Sequence, residues 1–315
     1  MQSSCSYKAI LIGSGTMGGR HKRLFEEDGV EFIGVADTAG EASALFEQIL
    51  AGKLAPDFAV IASPAITHEE YVQRCIEMML PVLVEKPVSI SFEKAEEFQR
   101  LALEQNAFVF VGHSERYNPA IEEFTKTDFF REMQDYFKSW FLQNQGAAPV
   151  RFKFTRTHGF SPRNRDVSVE YDLMIHDMDL LHFFVGKDAM MYKSFHCEEQ
   201  SDDRVHAFYD LRTLKAEFIA DRDCATDSRK VEISMNGRSV TLDLGAYRNG
   251  NPASALQKEH WAFLNYLGSY KKSLQDREPD YSWYGGLYDA CAAVIMVSLV
   301  GEVCKKGRAN ETDAK

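Results

Sequence analysis

Short apolar runs alternate with helix-length amphipathic segments over the first 119 residues of the chain. Continuous apolar runs are typical of strands buried on both faces, and their alternation with helices predicts a doubly wound parallel sheet. One helix-sized segment separates Asp37 from Phe58, where a complete sheet of this kind has room for a further strand, so we expect a shortened sheet edge. The predicted strands are 9–12, 31–36, 58–62, 82–85 and 108–111, and the predicted helices lie near 18–28, 40–51, 68–79 and 91–105.

The pattern changes after Asn118-Pro119, a turn signal that we take as the boundary between two domains, 1–119 and 120–315. Strand patterns with few helices between them predict an α+β second domain with a mostly antiparallel open sheet. The C-terminal helix is free to pack back on the first domain. The predicted strands are 150–157, 190–198, 204–210, 214–220, 229–235 and 238–244, and the predicted helices are 121–145, 169–184, 255–274 and 284–306.

Composition narrows the classes of partner and compartment. A net charge of −11 over 315 residues argues against nucleic acid, which needs a basic surface, although a site can still be locally basic. The six cysteines form no CxxC pair, and Cys75 and Cys291 occupy apolar helical positions, which favours a reducing cytoplasm. The segment from Met1 to Tyr7 is too short and polar for a signal peptide, and no apolar stretch reaches the length of a membrane span.

A glycine-rich turn, Gly13-x-Gly15-x-x-Gly18, follows the first strand and opens a helix. Such a turn brings the backbone close to a pyrophosphate at the helix N-terminus, and Asp37, at the end of the second strand, can bind ribose hydroxyls. The spacing predicts a Rossmann domain that binds NAD, with NADP disfavoured because Asp37 repels a 2′-phosphate. The alternative is a structural glycine turn in an unrelated α/β fold. The predicted cofactor contacts here are Gly13, Gly15, Thr16, Met17, Gly18 and Asp37.

Two further strand ends carry polar residues at the edge where such sheets bind ligands. Ser63 and Pro64 follow the strand at 58–62 and His68 opens the next helix, so we expect all three to contact the cofactor, although His68 can equally be an ordinary helix-start residue. Glu85 and Lys86 end the strand at 82–85. A lysine at the end of a buried strand is costly unless it is paired or used, so Lys86 is predicted to be catalytic and to contact the cofactor with Glu85; the alternative is a surface lysine.

Asp172 and His176 lie four residues apart in the helix 169–184 and therefore project from one face. A histidine can take an alcohol proton near neutral pH, and a carboxylate can orient it or Lys86. The alternatives are helix capping by Asp172 and a metal site. No triad of ligands with usual metal spacing is evident in this segment, so we expect no metal.

These residues together resemble the Gfo/Idh/MocA family of NAD(P)-dependent oxidoreductases. The resemblance covers most of the chain and is carried by GSGTMG with His21 in the following helix, Asp37, ASPAITH, VEKP, VGHSERYNPA and DLMIHDMDLLHFFVG. It implies a Rossmann domain followed by an open-sheet domain, and homodimers or homotetramers formed through the sheets. It also implies catalysis by Lys86, Asp172 and His176, with His176 favoured as the proton acceptor and that division left open.

Within the family, GHSERYNPA and the segment from Ser161 to Leu180 resemble the UDP-N-acetylglucosamine 3-dehydrogenase subgroup. The resemblance implies oxidation of a secondary sugar hydroxyl, with a free-sugar or cyclitol dehydrogenase as the alternative within the class. The alternative of another class is a non-catalytic, NAD-binding regulatory protein. A substrate that carries a diphosphate would need arginines to bind it. The alternative for each candidate arginine is a solvated surface position with no ligand. The predicted substrate contacts are Arg116, Tyr117, Asn118, Arg156, Arg163 and Arg165.

Overall fold

The structure is a computed structural model that describes residues 7–140, 149–161, 165–186, 195–246, 253–276 and 284–312. The chain divides into two compact units. The first unit contains Met1–His113 and Leu256–Cys291, and the second contains Ser114–Ala255 and Ala292–Lys315. The first stretch therefore ends at His113, whereas the sequence placed the boundary at residue 119, and a later stretch of the chain returns to the first unit.

The first unit is built on a parallel sheet, which confirms the predicted fold class. Within the described residues this sheet has five strands in the order β2-β1-β3-β4-β5, so β2 forms one edge, as expected from the short segment after Asp37. The strands are β1 (Lys8–Ile12), β2 (Glu31–Ala36), β3 (Phe58–Ile61), β4 (Val82–Glu85) and β5 (Val109–Gly112), and the helices between them are α1 (Thr16–Glu27), α2 (Ala39–Leu50), α3 (His68–Glu77) and α4 (Phe92–Gln105).

The returning stretch completes the core of the first unit. Phe263, in a helix that spans Ala253–Asp276, is fully buried, and its ring packs edge-on against Phe58 and Phe108 with centroids 4.9 and 5.7 Å apart. Burying one such side chain contributes about 1.5–3 kcal/mol. The four polar motifs of this unit follow β1, β2, β3 and β4, so parallel pairing brings them to the same edge of the sheet.

The second unit contains the mostly antiparallel sheet that the sequence predicted. Its order is β11-β10-β6-β9-β8-β7 among the described residues, and the β6–β9 pair is the parallel exception. Phe154 and Phe218 stack across that pair with centroids 5.1 Å apart. The strands are β6 (Val150–Thr157), β7 (Phe195–Gln200), β8 (Arg204–Asp210), β9 (Leu214–Asp221), β10 (Ser228–Met235) and β11 (Arg238–Asp243), and the helices are α5 (Pro119–Thr125), α6 (Asp128–Trp140) and α7 (Ile175–Val185).

The long helix predicted over 121–145 is two helices, α5 and α6. Thr125 and Thr127 cause the break, because their hydroxyls donate to the carbonyls of Glu122 and Phe124 at 2.9 and 2.7 Å. Such bonds compete with helix continuation. Thr127 also accepts the backbone N–H of Phe130 at the start of α6. Residues 141–148, and residues 190–194 of the strand predicted over 190–198, lie outside the described residues.

The late helices are α8 (Ala253–Asp276) and α9 (Tyr284–Thr312). The most apolar part of α9, from Ala290 to Val297, is almost completely buried. No helix in the described ranges combines the length and the hydropathy that a membrane span requires.

Candidate active site

In the glycine turn after β1, two of the three glycines lie too close to backbone atoms to carry a side chain, and the third faces open space. Gly13 has a φ of +91°, and a Cβ there would lie 2.5 Å from the backbone nitrogen of Ser63. A Cβ on Gly18 would lie 1.8 Å from the carbonyl oxygen of Gly13. At Gly15, by contrast, no described residue beyond its neighbours along the chain lies within 4 Å of a Cβ position, and no side chain caps α1. The turn therefore fits a pyrophosphate on the helix N-terminus. Thr16 and Met17 form the first turn of α1 beside it.

The carboxylate of Asp37 lies against this turn. Its Oδ2 accepts the Ser14 hydroxyl at 2.6 Å and its Oδ1 accepts the Ser14 backbone N–H at 2.5 Å. The hydrogen bonds from Ser14 hold the pKa of Asp37 below its usual range, so the carboxylate is ionised at neutral pH. An exposed carboxylate beside the glycine turn fits the hydroxyls of a ribose.

His68 is buried and joins the loops that follow β3 and β4. Its Nδ1 lies 2.7 Å from the carbonyl oxygen of Pro87, and its Nε2 lies 2.9 Å from that of Ser63. Burial lowers the pKa of His68, although the two carbonyls oppose this. His68 therefore braces the two loops, and the cofactor contact expected of it stays a prediction. Ser63 also bonds to Thr67 through its hydroxyl at 2.7 Å, next to Pro64.

Glu85 ends β4 with both carboxylate oxygens engaged. Its Oε1 lies 2.8 Å from Nε2 of His21, and its Oε2 accepts the backbone N–H of Lys86 at 3.2 Å. Burial raises the pKa of Glu85, but the interactions with His21 and, to a smaller extent, with Lys86 outweigh burial and bring the pKa below its usual value. Lys86 itself is half-buried at the strand end and precedes a cis peptide bond to Pro87.

Two residues that the sequence did not single out complete this cluster. Nε2 of His260 lies 2.7 Å from Nδ1 of His21, and Glu259 places a carboxylate oxygen within 4.8 Å of both imidazoles. All three side chains are inaccessible to solvent. His260 is 239 positions from His21. The sequence signal was a Glu-His pair among the apolar positions of α8, and nothing local links that pair to α1.

In the second unit, Asp172 lies in a π-helical turn, Glu170–Met174, and His176 lies at the start of α7. Asp172 is buried and His176 is half-buried. π-Helical turns occur frequently at functional sites. Arg222, which the sequence analysis missed, approaches Asp172 with an Nη1–Oδ2 distance of 3.6 Å and donates from Nε to Asp203 at 2.7 Å. Arg222 therefore supplies the charge that balances Asp172. The catalytic parts of Asp172 and His176 remain predictions.

Arg156 is enclosed in an ion network, which argues against the substrate contact predicted for it. The side chain is 2 % exposed; Nη2 donates to Asp177 at 2.7 Å and Nη1 to Glu115 at 3.0 Å. Glu115 also accepts from Arg229 at 2.6 Å. Burial opposes the charge of Arg156, but Asp177 and Glu115 outweigh burial and raise its pKa. Because these carboxylates occupy its donors, the geometry gives no support to the substrate contact of Arg156, which stays a prediction.

Arg116 is committed in a similar way. It makes a bidentate pair with Asp179, from Nε at 2.8 Å and Nη2 at 2.5 Å, and its guanidinium lies over Phe183. Asn118 is buried as the N-cap of α5, where its Oδ1 accepts the backbone N–H of Ala120 at 3.0 Å. Both side chains therefore have structural partners that the sequence did not predict.

The remaining predicted substrate contacts differ in exposure. Arg165 is exposed; Nη1 donates to Asp203 at 2.6 Å and the guanidinium lies 4.6 Å from the ring centroid of Phe160. Tyr117 is half-buried at the end of a short 3₁₀ turn. Arg163 lies outside the described residues.

Part of the chain matches the model of a known protein family. Residues 7–113 match the model of the Gfo/Idh/MocA family, described as "Oxidoreductase family, NAD-binding Rossmann fold". This stretch of the chain therefore resembles the NAD-binding domain of that family. The match covers the glycine turn, Asp37, the Ser63-Pro64 loop and Lys86, so the resemblance predicted from the sequence is confirmed. The family's Rossmann domain binds NAD, which agrees with the fit of the glycine turn to a pyrophosphate.

Proteins similar to this chain include a sugar dehydrogenase and an inositol dehydrogenase homolog. UDP-N-acetylglucosamine 3-dehydrogenase from Acidithiobacillus ferrooxidans is 24% identical over 245 residues, which cover 74% of this chain and 72% of that protein. Its solved structure is similar with a TM-score of 0.71 at 20% identity, covering 95% of this chain and 97% of that one. An inositol dehydrogenase homolog from Azotobacter vinelandii, complexed with NADH and myo-inositol, has a TM-score of 0.68 at 16% identity, covering 96% and 97%. At such identities the two structures establish the fold.

Proposed function

We propose that the chain is an NAD-dependent dehydrogenase that oxidises a secondary hydroxyl of a sugar, with the 3-hydroxyl of UDP-N-acetylglucosamine as the favoured substrate. The observation that carries the proposal is the edge of the first unit, where the glycine turn, Asp37 and Lys86 follow neighbouring parallel strands. The similarity to UDP-N-acetylglucosamine 3-dehydrogenase over three quarters of the chain supports the choice of sugar.

The cofactor proposed is NAD in preference to NADP. Gly13, Gly15 and Gly18 would admit the pyrophosphate to the start of α1, and Asp37 would bind the ribose hydroxyls. Asp37 is ionised at neutral pH because Ser14 stabilises its charge, and an ionised carboxylate repels a 2′-phosphate. When bound, NAD supplies the hydride acceptor.

The chain's own residues would handle the proton. Lys86 would hydrogen-bond the substrate hydroxyl and stabilise the oxygen as it loses its proton, and His176 would accept that proton. Asp172 would orient His176, with its own charge balanced by Arg222 at 3.6 Å. We propose these roles for Lys86, Asp172 and His176 in one reaction, as the family resemblance implies.

One observation favours a second candidate, an uncharged sugar or cyclitol as substrate. The three described arginines predicted to bind a diphosphate, Arg116, Arg156 and Arg165, already have carboxylate partners. A cyclitol needs no such cations. The similarity to an inositol dehydrogenase homolog is consistent with this alternative.

The test is a substrate panel with purified protein and NAD, following reduced cofactor by its absorbance. The panel contains UDP-N-acetylglucosamine, UDP-glucose and myo-inositol, with a coupled aminotransferase to remove an unfavourable ketone product. We expect turnover of UDP-N-acetylglucosamine, and a loss of on the order of 10²–10⁴-fold in kcat with Lys86→Met. The matched control is Lys94→Met, since Lys94 is a partly exposed residue of α4 that pairs with Glu97 on the same helix.

Turnover of myo-inositol alone would keep the enzyme class and replace the sugar by a cyclitol. Tight NAD binding without turnover of any substrate would contradict the dehydrogenase proposal. Lys86→Met with unchanged kcat would remove Lys86 from the chemistry while leaving the substrate assignment intact.

The assembly proposed with this function is a homodimer or homotetramer, as the family resemblance implies. The compartment proposed is the cytoplasm, which the pattern of cysteines favours. Light scattering on the purified protein measures the mass against 35.8 kDa for one chain. A monomer at working concentration would contradict the assembly.

A further inference from the structure

The imidazole of His260 lies in apolar surroundings. Its ring stacks on Phe25 with centroids 3.7 Å apart and planes 4° apart, and Phe263 packs on Phe25 from another side. Burial is the main cause that lowers the pKa of His260 far below its usual value. His260 is therefore neutral at physiological pH and carries one ring proton.

The position of that proton follows from its neighbours. Nε2 of His260 faces Nδ1 of His21 at 2.7 Å, and Nδ1 of His260 finds no hydrogen-bond partner among the described residues. A proton on Nδ1 would leave a buried donor unsatisfied, and Nε2 would then require a charged His21 as its donor. A proton on Nε2 leaves only a bare lone pair, which costs less. Nε2–H of His260 thus donates to Nδ1 of His21.

The direction of the second bond is then fixed. Because Nδ1 of His21 accepts, the ring proton of His21 lies on Nε2 and donates to Oε1 of Glu85 at 2.8 Å. The other oxygen of Glu85 accepts the backbone N–H of Lys86 at 3.2 Å. The bonds run in one direction, from His260 through His21 and Glu85 to the turn that carries Lys86.

The same cluster has the donor set of a metal site, since His21, His260 and Glu259 could share one ion. The separation of the two nitrogens favours the hydrogen bond. Two nitrogens bound to one tetrahedral zinc at ~2.05 Å lie ~3.3 Å apart. The observed 2.7 Å is a hydrogen-bond distance.

We propose that His260 is a positioning residue that, through His21, fixes the Glu85 carboxylate beside the backbone of Lys86. The effect of this positioning on turnover rests on the catalytic role of Lys86 in the proposed function. The charged and titratable groups that face the chain of bonds are Glu85, Glu259, Lys86 and His68. Without the Nε2–H of His260, the ring proton of His21 is no longer held on Nε2. The orientation of the Glu85 carboxylate is then no longer fixed.

The first test reads the tautomers directly. Nitrogen-15 spectra of the histidine-labelled protein, from about pH 6 to about pH 9, should place the ring proton of His21 and of His260 on Nε2, with no titration of His260. His260→Phe keeps a ring against Phe25 but removes the donor, so the His21 tautomer should no longer be fixed. His260→Gln, whose amide can donate from the same position, should restore it.

The second test reads the consequence for turnover. His260→Phe should lower kcat on the order of tenfold and change its pH profile, while the Kd for NAD stays within about twofold; His260→Gln should recover most of the loss. A His21 proton on Nδ1 in the native protein would overturn the proposal, as would His260→Phe with an unchanged tautomer. One equivalent of zinc per chain by elemental analysis would replace it with a metal site. The nitrogen spectra need no substrate, so a failure of the proposed function is distinguishable from a failure of this inference.

Discussion

Replacing Arg156 by methionine tests whether this residue stabilises the fold or binds substrate. Arg156 donates to Asp177 from Nη2 and Nε at 2.7 and 3.1 Å and to Glu115 from Nη1 at 3.0 Å. Methionine retains much of the apolar stem but removes every one of these donors. Glu115 keeps Arg229 at 2.6 Å, whereas Asp177 loses its guanidinium in a buried position.

The expected loss of folding free energy follows from this difference between Asp177, which loses its partner, and Glu115, which keeps one. Removing one partner of a buried ion pair destabilises by about 3–5 kcal/mol, because the other charge remains desolvated. We expect Arg156→Met to lose free energy of unfolding in this range, with most of the loss at Asp177. Burial raises the pKa of Asp177, and losing Arg156 strengthens that effect. A carboxyl with a raised folded pKa gains relative stability as the pH falls through it, so the deficit should shrink in acid.

The assay is urea unfolding followed by far-ultraviolet circular dichroism, with substrate kinetics on the same variants. Arg100→Met is the matched control, because Arg100 lies in an exposed pair with Glu104 and its unfolding curve should overlay that of the native protein. A double variant, Arg156→Met with Asp177→Leu, should recover much of the loss, since an apolar pair can replace a buried ion pair.

A stability loss below about 1 kcal/mol in Arg156→Met would refute the structural role, because the magnitude above depends on an uncompensated buried carboxylate. A raised KM with unchanged stability would restore Arg156 to the substrate site that the sequence predicted. A double variant no more stable than the single one would mean that Asp177 is not the source of the loss.

Three further predictions follow from the same geometry. Gly13→Ala should destabilise the protein, because a Cβ would lie 2.5 Å from a backbone atom at a φ of +91°. Gly15→Ala should unfold at the native temperature but bind NAD more weakly, so melting curves and NAD titrations distinguish the two variants. Asp37→Ser should shift the ratio of NADP to NAD affinity on the order of tenfold toward NADP, measured by calorimetry, and an unchanged ratio would contradict the proposed ribose contact. For Glu115, burial is outweighed by the charges of Arg156 and Arg229, so its folded pKa is below the ordinary value. The stabilisation that ionised Glu115 provides is complete above about pH 4.3 and disappears as the pH falls through the pKa of Glu115 in the folded state. In a plot of unfolding free energy against pH, Glu115→Gln should therefore flatten the acidic part of the curve.

The strands of the first unit could be located from the sequence because the signal is local. A strand covered on both faces, such as β3, is a continuous apolar run between turn residues, and every residue of that run is buried. The break between α5 and α6 was missed because it depends on the Thr125 and Thr127 hydroxyls bonding to backbone carbonyls. The sequence contained both threonines, but their helical neighbours gave no reason to prefer those bonds.

The polar contacts of the candidate site were the least predictable part, because their partners are distant along the chain. Glu115 and Arg229 are 114 positions apart, and His21 and His260 are 239 apart. The sequence was sufficient to identify Glu85 and Arg156 as charged groups near a candidate site. Whether each charge faces a ligand or another side chain depends on tertiary pairing, and for Arg156 that pairing is internal.

That distinction bears on the choice between a nucleotide sugar and a cyclitol. Of the arginines proposed from the sequence, Arg165 is the exposed one among those the structure describes, and Phe160 beside it is 69% exposed. A diphosphate bound in the second unit would therefore be expected to use Arg165. Arg165→Met should raise the KM for UDP-N-acetylglucosamine on the order of tenfold, the loss of one charge-assisted hydrogen bond, and leave that for myo-inositol unchanged. An unchanged KM for the nucleotide sugar would remove the last described arginine from the diphosphate site and favour the uncharged substrate.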